Sequence, residues 1–173
     1  MTESGKEGFM SISLNGRARV YAAAKWAVAI LAVVLIAVHS AGTKMSSTSF
    51  DDMKEAVMAA ADTTNMLEAD SQMIRRLYGI DPDEYDGVLL WYPKTNMKSE
   101  ELLVVKLRDG GQMKALEQAI SARKDTLLQS FRGYGAEQTA MLENSVTDLR
   151  GNYAFFCSAD DPDRVHQAFL TAY

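Results

Sequence analysis

Ser121 and Lys124 have the spacing of Ser-x-x-Lys, a pattern in which a lysine can activate a serine nucleophile. The companion patterns of such enzymes, Ser-Asp-Asn and Lys-Thr-Gly, do not occur in the sequence, and neither does Gly-x-Ser-x-Gly. The chain has two histidines, and His39 falls at the end of an apolar run, which leaves His166 without a second histidine. A lone histidine forms neither a relay nor a histidine-based metal site. We therefore predict no catalytic residues; the alternative is a small enzyme that uses Ser121 or carboxylates.

Two acidic clusters carry the oxygen ligands that Ca²⁺ prefers. Their members are Asp81, Asp83, Glu84 and Asp86 in the first cluster and Asp160, Asp161 and Asp163 in the second. Neither cluster has the spacing of a known calcium loop. Each contains Asp-Pro followed by an acid, which is typical of a helix start with aspartate as the N-cap and proline at the first position. We predict no metal site and no cofactor.

Arg123 lies on the apolar stripe of a predicted long helix, three residues after Ile120 and four before Leu127. An arginine there either forms a salt bridge along apolar surface or contacts an anionic ligand at the helix edge. Tyr134, between Gly133 and Gly135, and Gln138 could line a surface groove, although core packing of the aromatic residues is an alternative. The possible ligand groove therefore consists of Arg123, Tyr134 and Gln138.

Cys157 is the only cysteine, so no intramolecular disulfide can form. It follows Phe155 and Phe156, where a cysteine is typically a buried small hydrophobe and not a nucleophile. We expect its thiol to be buried.

The most apolar stretch of the chain is Trp26–Val38, 13 residues long. The length of this uninterrupted run suits a signal-peptide core. Extension of the run to residues 22–41 gives the ~20 residues of a transmembrane helix. Cleavage after Ser40 or Gly42 is an alternative to a retained span. A third alternative, a buried helix of a soluble protein, would need a partner around the whole helix. We predict a retained single span.

Basic residues set the predicted orientation. Lys6, Arg17, Arg19 and Lys25 precede or enter the run, and only Lys44 and Lys54 follow it closely. The positive-inside rule then places the N-terminus in the cytoplasm. The predicted organisation is a cytoplasmic tail (1–19), a transmembrane or signal-anchor helix (20–41), a linker (42–49) and an extracytoplasmic domain (50–173).

Beyond residue 42 the chain carries 14 basic and 21 acidic residues, a net charge of −7. Nucleic acid is an unsuitable partner, because binding it requires a basic face that neutralises phosphates. About 130 residues suffice for one ordinary domain.

Start and stop signals divide this domain into helices and strands. Helices are predicted after Ser49, Asp70, Asp109 and Asp161 and over 136–143, with Gly79 and Gly133 as helix ends. Strands are predicted over 88–92, 102–107, 146–150 and 152–158. Two hairpins separated by a helix predict an α+β domain, in which helices pack on one face of an antiparallel sheet of about four strands.

Several short motifs recur in this order in a bacterial family of unknown function. They are Leu77-Tyr78-Gly79-Ile80-Asp81, Glu101-Leu102-Leu103-Val104-Val105-Lys106, the helix with Ala119-Ile120 and Arg123, Ser130-Phe131-Arg132-Gly133-Tyr134-Gly135 and Arg150-Gly151-Asn152-Tyr153-Ala154-Phe155-Phe156. Over residues 50–173 the chain resembles this family, which is common in clostridial Gram-positive anaerobes. The resemblance implies an envelope protein held by a lipoprotein signal or a single span, with a loose link to envelope-polymer acylation. This chain has no lipobox cysteine.

The anchor, the absence of catalytic motifs and the compact acidic domain together predict a non-enzymatic, membrane-tethered module that binds an envelope protein or glycan. The alternatives are a small envelope enzyme acting on a surface polymer, a secreted domain after signal cleavage, and a transmembrane sensor. A tail of about 19 residues is too short for an output domain, so a sensor would need a partner helix.

Overall fold

A five-stranded antiparallel sheet organises the chain from Lys44 to Tyr173. The computed structural model describes residues 44–173 together with Lys25, Trp26, Val28 and Ile30. The chain divides into two units, Met1–Thr43 and Lys44–Tyr173, and the fold described below is that of the second.

Helices and strands alternate irregularly along this unit. The helices are α1 (Phe50–Ala60), α2 (Ser71–Tyr78), α3 (Met113–Phe131), α4 (Ala136–Glu143) and α5 (Pro162–Ala172). The strands are β1 (Met66–Glu68), β2 (Gly87–Pro93), β3 (Glu101–Lys106), β4 (Val146–Arg150) and β5 (Tyr153–Ser158). Short 3-10 helical turns cover Pro82–Glu84 and Gly110–Gln112. The strand order β1-β2-β3-β5-β4 places β1 and β4 at the edges.

The strand register gives the sheet two ends. Glu101 of β3 lies opposite Ser158 of β5 at one end, and Lys106 lies opposite Tyr153 at the other. We call them the Glu101 end and the Gly151 end, after the residue of the turn that joins β4 to β5.

The strands β3 and β5 are buried on both faces. Leu103 and Phe156 belong to an apolar cluster with α2 and α3, whereas Val104 and Phe155 belong to a second cluster with α1 and α5. The prediction of helices on one face is therefore wrong. Both sets of alternating positions are apolar in these strands, and such strands need cover on both sides.

The α+β class is confirmed, but the sheet has five strands and not four. The missed strand, β1, pairs with the end of β2 over three residues. Of these, Met66 is buried and Leu67 is 42% exposed. Three residues are too few to show a strand periodicity, so the sequence carried no signal for this edge.

The predicted helix starts are confirmed by their capping hydrogen bonds. The side chains of Ser49, Asp70 and Asp161 each accept a hydrogen bond from a backbone N–H three residues later. Asp109 and Gln112 form a capping box. These caps satisfy N–H groups that have no partner within their helix.

Residues 44–49, predicted as a linker, contact the domain at the Gly151 end. The Ser46 N–H donates to Asn152 Oδ1 at 2.8 Å, and the Ser46 hydroxyl donates to the Tyr173 carbonyl at 2.7 Å. The Thr48 hydroxyl donates to the Ala172 carbonyl at 2.5 Å. The chain therefore joins the domain beside the turn between β4 and β5.

The predicted tail (1–19) and span (20–41) lie outside the described residues, apart from Lys25, Trp26, Val28 and Ile30. Within the described part of the chain, no helix has both the length and the apolar composition needed to cross a bilayer. The span, its orientation and its cleavage stay predictions.

We expect Leu103→Ala to lower the free energy of unfolding by about 2–5 kcal/mol, because it opens a cavity between the sheet and α3. Leu103 is fully buried. The matched control is Leu67→Ala on the exposed edge strand, which should change stability by less than about 1 kcal/mol. Urea unfolding measures both values, and similar losses would contradict the burial of this face.

The Cys157 thiol should not react with iodoacetamide at pH 8 in the folded protein. Burial raises its pKa to about 12, with a contribution from the charge of Asp161, and alkylation requires the thiolate. Mass spectrometry should find no label on the native chain and one label in guanidinium. The control variant Thr147→Cys adds a thiol at an exposed position and should gain one label without denaturant. Labelling of native Cys157 would refute the prediction.

Candidate functional site

The segment before β3 fastens α4 to the sheet at the Glu101 end. Ser99 is fully buried; its N–H donates to Oε1 of Gln138 at 2.8 Å, and its hydroxyl donates to the same oxygen at 2.9 Å. Gln138 is also buried. Because buried polar groups require partners, this pairing fixes the position of α4 relative to β3.

Glu101, the first residue of β3, binds α2 and α3 through one buried carboxylate. It accepts a hydrogen bond from the Tyr78 hydroxyl at 2.6 Å. Arg123 donates from Nη2 to Oε2 at 2.5 Å and from Nε to Oε1 at 3.0 Å. This two-point contact is the strong geometry of an arginine–carboxylate pair.

Burial and charge set the protonation of this cluster. Burial raises the pKa of Tyr78 well above its ordinary value, and the charge of Glu101 raises it further, so the phenol stays protonated and donates. Burial lowers the pKa of Arg123, but the hydrogen bond and the charge interaction with Glu101, with a smaller contribution from Tyr78, together outweigh burial and leave the pKa above its ordinary value. The three groups therefore form a satisfied buried network.

Helix α3 extends past the sheet. It continues for eight residues after Arg123, about 12 Å at 1.5 Å per residue. A short turn then leads into α4. We call residues 128–143 the α3–α4 corner. Since Arg123 and Gln138 both bind the segment 99–101, the corner lies at and beyond the Glu101 end, opposite to where the chain joins the domain.

The turn of this corner exposes Tyr134 next to a buried aromatic residue. Phe131 is buried against Leu127 and Leu142, and its ring centroid lies 6.3 Å from that of Tyr134. Gly133 has a φ of +90°, a conformation that favours glycine. A Cβ on Gly135 would lie 2.7 Å from Cδ1 of Phe131. The flanking glycines thus let Phe131 pack inward while Tyr134 stays 70% exposed.

Two surface depressions meet at Tyr134. The larger, about 550 Å³, is lined by Leu128, Arg132, Gly133, Tyr134, Ala136, Thr139, Ala140 and Glu143. The smaller, about 350 Å³, is lined by Met97, Lys98, Phe131, Tyr134, Gly135, Ala136, Glu137 and Gln138. Met97 is 63% exposed. Tyr134 and Ala136 line both depressions, so the two are adjacent.

The structure brings two of the three predicted groove residues together. Tyr134 and Gln138 line the smaller depression, with the Gln138 side chain bound to Ser99. Arg123 lines neither depression, because its guanidinium is bound to Glu101. For Arg123 the salt-bridge alternative is the one observed. Sequence reasoning missed Met97, which lies in a polar loop without any periodic signal.

The other candidate groups have structural partners or lie apart from the depressions. Asp81 caps a 3-10 turn and pairs with Arg75, whereas Asp86 pairs with Arg108. Ser121 lies on the exposed side of α3. Within residues 44–173 and the four described before them, no group of three or more histidine, cysteine, aspartate or glutamate side chains is placed to hold a metal ion.

His166 has a partner that the sequence did not indicate. Its Nε2 lies 2.6 Å from Oδ2 of Asp148, and Arg150 donates to the same carboxylate. Burial raises the pKa of Asp148, but the hydrogen bonds and charge interactions with Arg150 and His166 together outweigh burial, so the net pKa is lowered. This cluster attaches the edge strand β4 to α5. The residues are 18 apart in sequence, so spacing alone gave no hint of the contact.

A family model described as "Domain of unknown function (DUF4358)" matches residues 59–159, more than half of the chain. The match runs from the end of α1 through β5 and includes the sheet, the Glu101 network and the α3–α4 corner. It confirms the resemblance to a family of domains of unknown function. No curated protein and no solved structure matches the chain.

We expect Glu101→Leu and Arg123→Met each to lower the free energy of unfolding by about 3–5 kcal/mol, because each leaves a buried charge or its donors without a partner. The double variant should lose about 1–3 kcal/mol less than the sum of the two. Urea unfolding of all four proteins measures this coupling.

The matched control is the exposed pair Lys54–Glu68, whose ion pair is 3.0 Å long. Lys54→Met combined with Glu68→Leu should show a coupling below about 1 kcal/mol. Strictly additive losses at Glu101 and Arg123 would contradict the buried network.

Proposed function

This chain belongs to the family described as "Domain of unknown function (DUF4358)", and we propose that it is a membrane-tethered binding module on the outer side of a bacterial cell membrane. Its partner is a protein or glycan of the cell envelope, and its role is accessory, not enzymatic. The observation that carries the proposal is the exposed Tyr134, which lines two adjacent depressions at the α3–α4 corner.

The tether in this proposal is the apolar segment Trp26–Val38. Its flanking charges favour a cytoplasmic N-terminus, and the acidic domain that follows is suited to an aqueous compartment. The single cysteine is buried, which protects it where no disulfide partner exists in the chain.

The position of the corner supports a binding role. The chain joins the domain at the Gly151 end, and the α3–α4 corner lies beyond the Glu101 end. Strands of six residues separate these ends by roughly 20 Å. A tether that precedes Lys44 would therefore join the domain at its Gly151 end, whereas Tyr134 lies at the other end of the domain.

The composition of the corner also supports binding. Tyr134 and Met97 are large apolar side chains with most of their surface in solvent, and exposed aromatic and methionine side chains are enriched where proteins bind partners. The buried ring of Phe131 lies beside Tyr134, with the two ring centroids 6.3 Å apart.

Protease added to intact cells should remove a C-terminal epitope tag from this protein, because the domain lies outside. The protein should also sediment with membranes. Immunoblotting of treated cells, with a cytosolic protein as an internal standard, measures the loss of the tag.

The matched control is a variant that lacks residues 26–38, which should stay in the cytosol with its tag protected. Release of the normal chain into the medium would indicate signal cleavage. A protected tag on the normal chain would overturn the proposed location.

A further inference from the structure

We infer that the α3–α4 corner binds a neutral glycan chain, with one sugar unit in each depression and Tyr134 between them. This inference rests on the proposed binding role and names the chemistry of the partner. Its basis is the arrangement of charge and apolar surface around Tyr134.

Each depression is lined by one cation and one anion. Arg132 and Glu143 belong to the larger depression, and Lys98 and Glu137 belong to the smaller. A ligand of either net charge would be attracted by one of these groups and repelled by the other. A hydroxyl group can accept a hydrogen bond from the cation and donate one to the carboxylate. The charge pattern is therefore complementary to a neutral, hydroxyl-rich ligand.

Arg132, Glu143 and Glu137 are free to bind such a ligand. Among the ion pairs of the described residues, none includes these three side chains, whereas Lys98 contacts Glu100 at 3.6 Å. Each depression thus combines a donor and an acceptor with apolar lining, and a few polar groups in an apolar site fix the orientation of a small ligand.

The apolar lining of the larger depression suits the C–H face of a sugar ring. Ala136, Thr139 and Ala140 of α4 are small and line the larger depression beside the Tyr134 ring. An aromatic ring offers an apolar face on which the C–H face of a sugar can stack, and its hydroxyl can bond at the edge. Because the two depressions share Tyr134 and Ala136, consecutive units of one chain can occupy both.

The test uses the full chain in lipid nanodiscs, which avoids glycoside detergents that would compete for the site. The neutral probes are chitohexaose, cellohexaose and mannohexaose. The charged comparators are hexagalacturonate and the hexamer of glucosamine. Saturation-transfer NMR detects binding, and calorimetry gives the dissociation constants.

At least one neutral hexasaccharide should bind, with both charged comparators at least about tenfold weaker. Tyr134→Ala should weaken that binding by about tenfold or more, because the stacking ring is lost. Tyr134→Phe keeps the ring and should stay within about threefold of the normal chain, as should the matched control Leu67→Ala at the edge of the sheet. Circular dichroism confirms that each variant is folded.

Failure of all three neutral probes to bind, preference for a charged probe, or equal binding by Tyr134→Ala would each overturn the inference. A photoreactive amino acid at position 139, irradiated in intact cells, separates this failure from that of the proposed function. Covalent capture of one envelope protein without glycan binding would refute the glycan and retain the binding module. If the protein neither captures an envelope protein nor binds a glycan, the glycan inference and the proposed binding role are both refuted.

Discussion

The fold depends on one buried carboxylate, that of Glu101. A buried carboxylate is tolerated only when its oxygens accept hydrogen bonds. Here the donors are Tyr78 on α2 and Arg123 on α3. One residue at the start of β3 therefore fixes two helices against one face of the sheet. It also fixes α3 where this helix leaves the sheet, and with it the start of the α3–α4 corner.

The α3–α4 corner is a product of that constraint and of local backbone geometry. The pairing of Ser99 with Gln138 adds a second attachment two residues before Glu101, so both helices of the corner are held by the same short segment. The glycines at 133 and 135 then allow two neighbouring aromatic side chains to differ in burial. Phe131 is in the interior, and Tyr134 is in solvent. Two helices attached to the sheet and an exposed aromatic ring are features that a preformed recognition surface requires.

Local sequence signals predicted the elements far better than their arrangement. Caps such as Ser49, Asp70 and Asp109 act within one helical turn, so their residue types alone reveal them. The uninterrupted apolar run Leu102–Val105 is typical of a strand covered on both faces, but which helices cover each face depends on contacts that are remote in sequence. The contact of Arg123 with Glu101 spans 22 residues, and no periodicity records it. Tyr134 and Gln138 were identifiable because their helix and turn are local.

The hydrogen bond between Ser46 and the Tyr173 carbonyl brings the two extremities of the folded body together. A domain whose two ends lie close together tolerates circular permutation, in which the ends are joined to each other and new ends are opened in a loop. No strand or helix then has to change direction. The body could likewise be inserted as a cassette into a loop of another protein. Its exposed tyrosine would then project from the host on the side away from the splice.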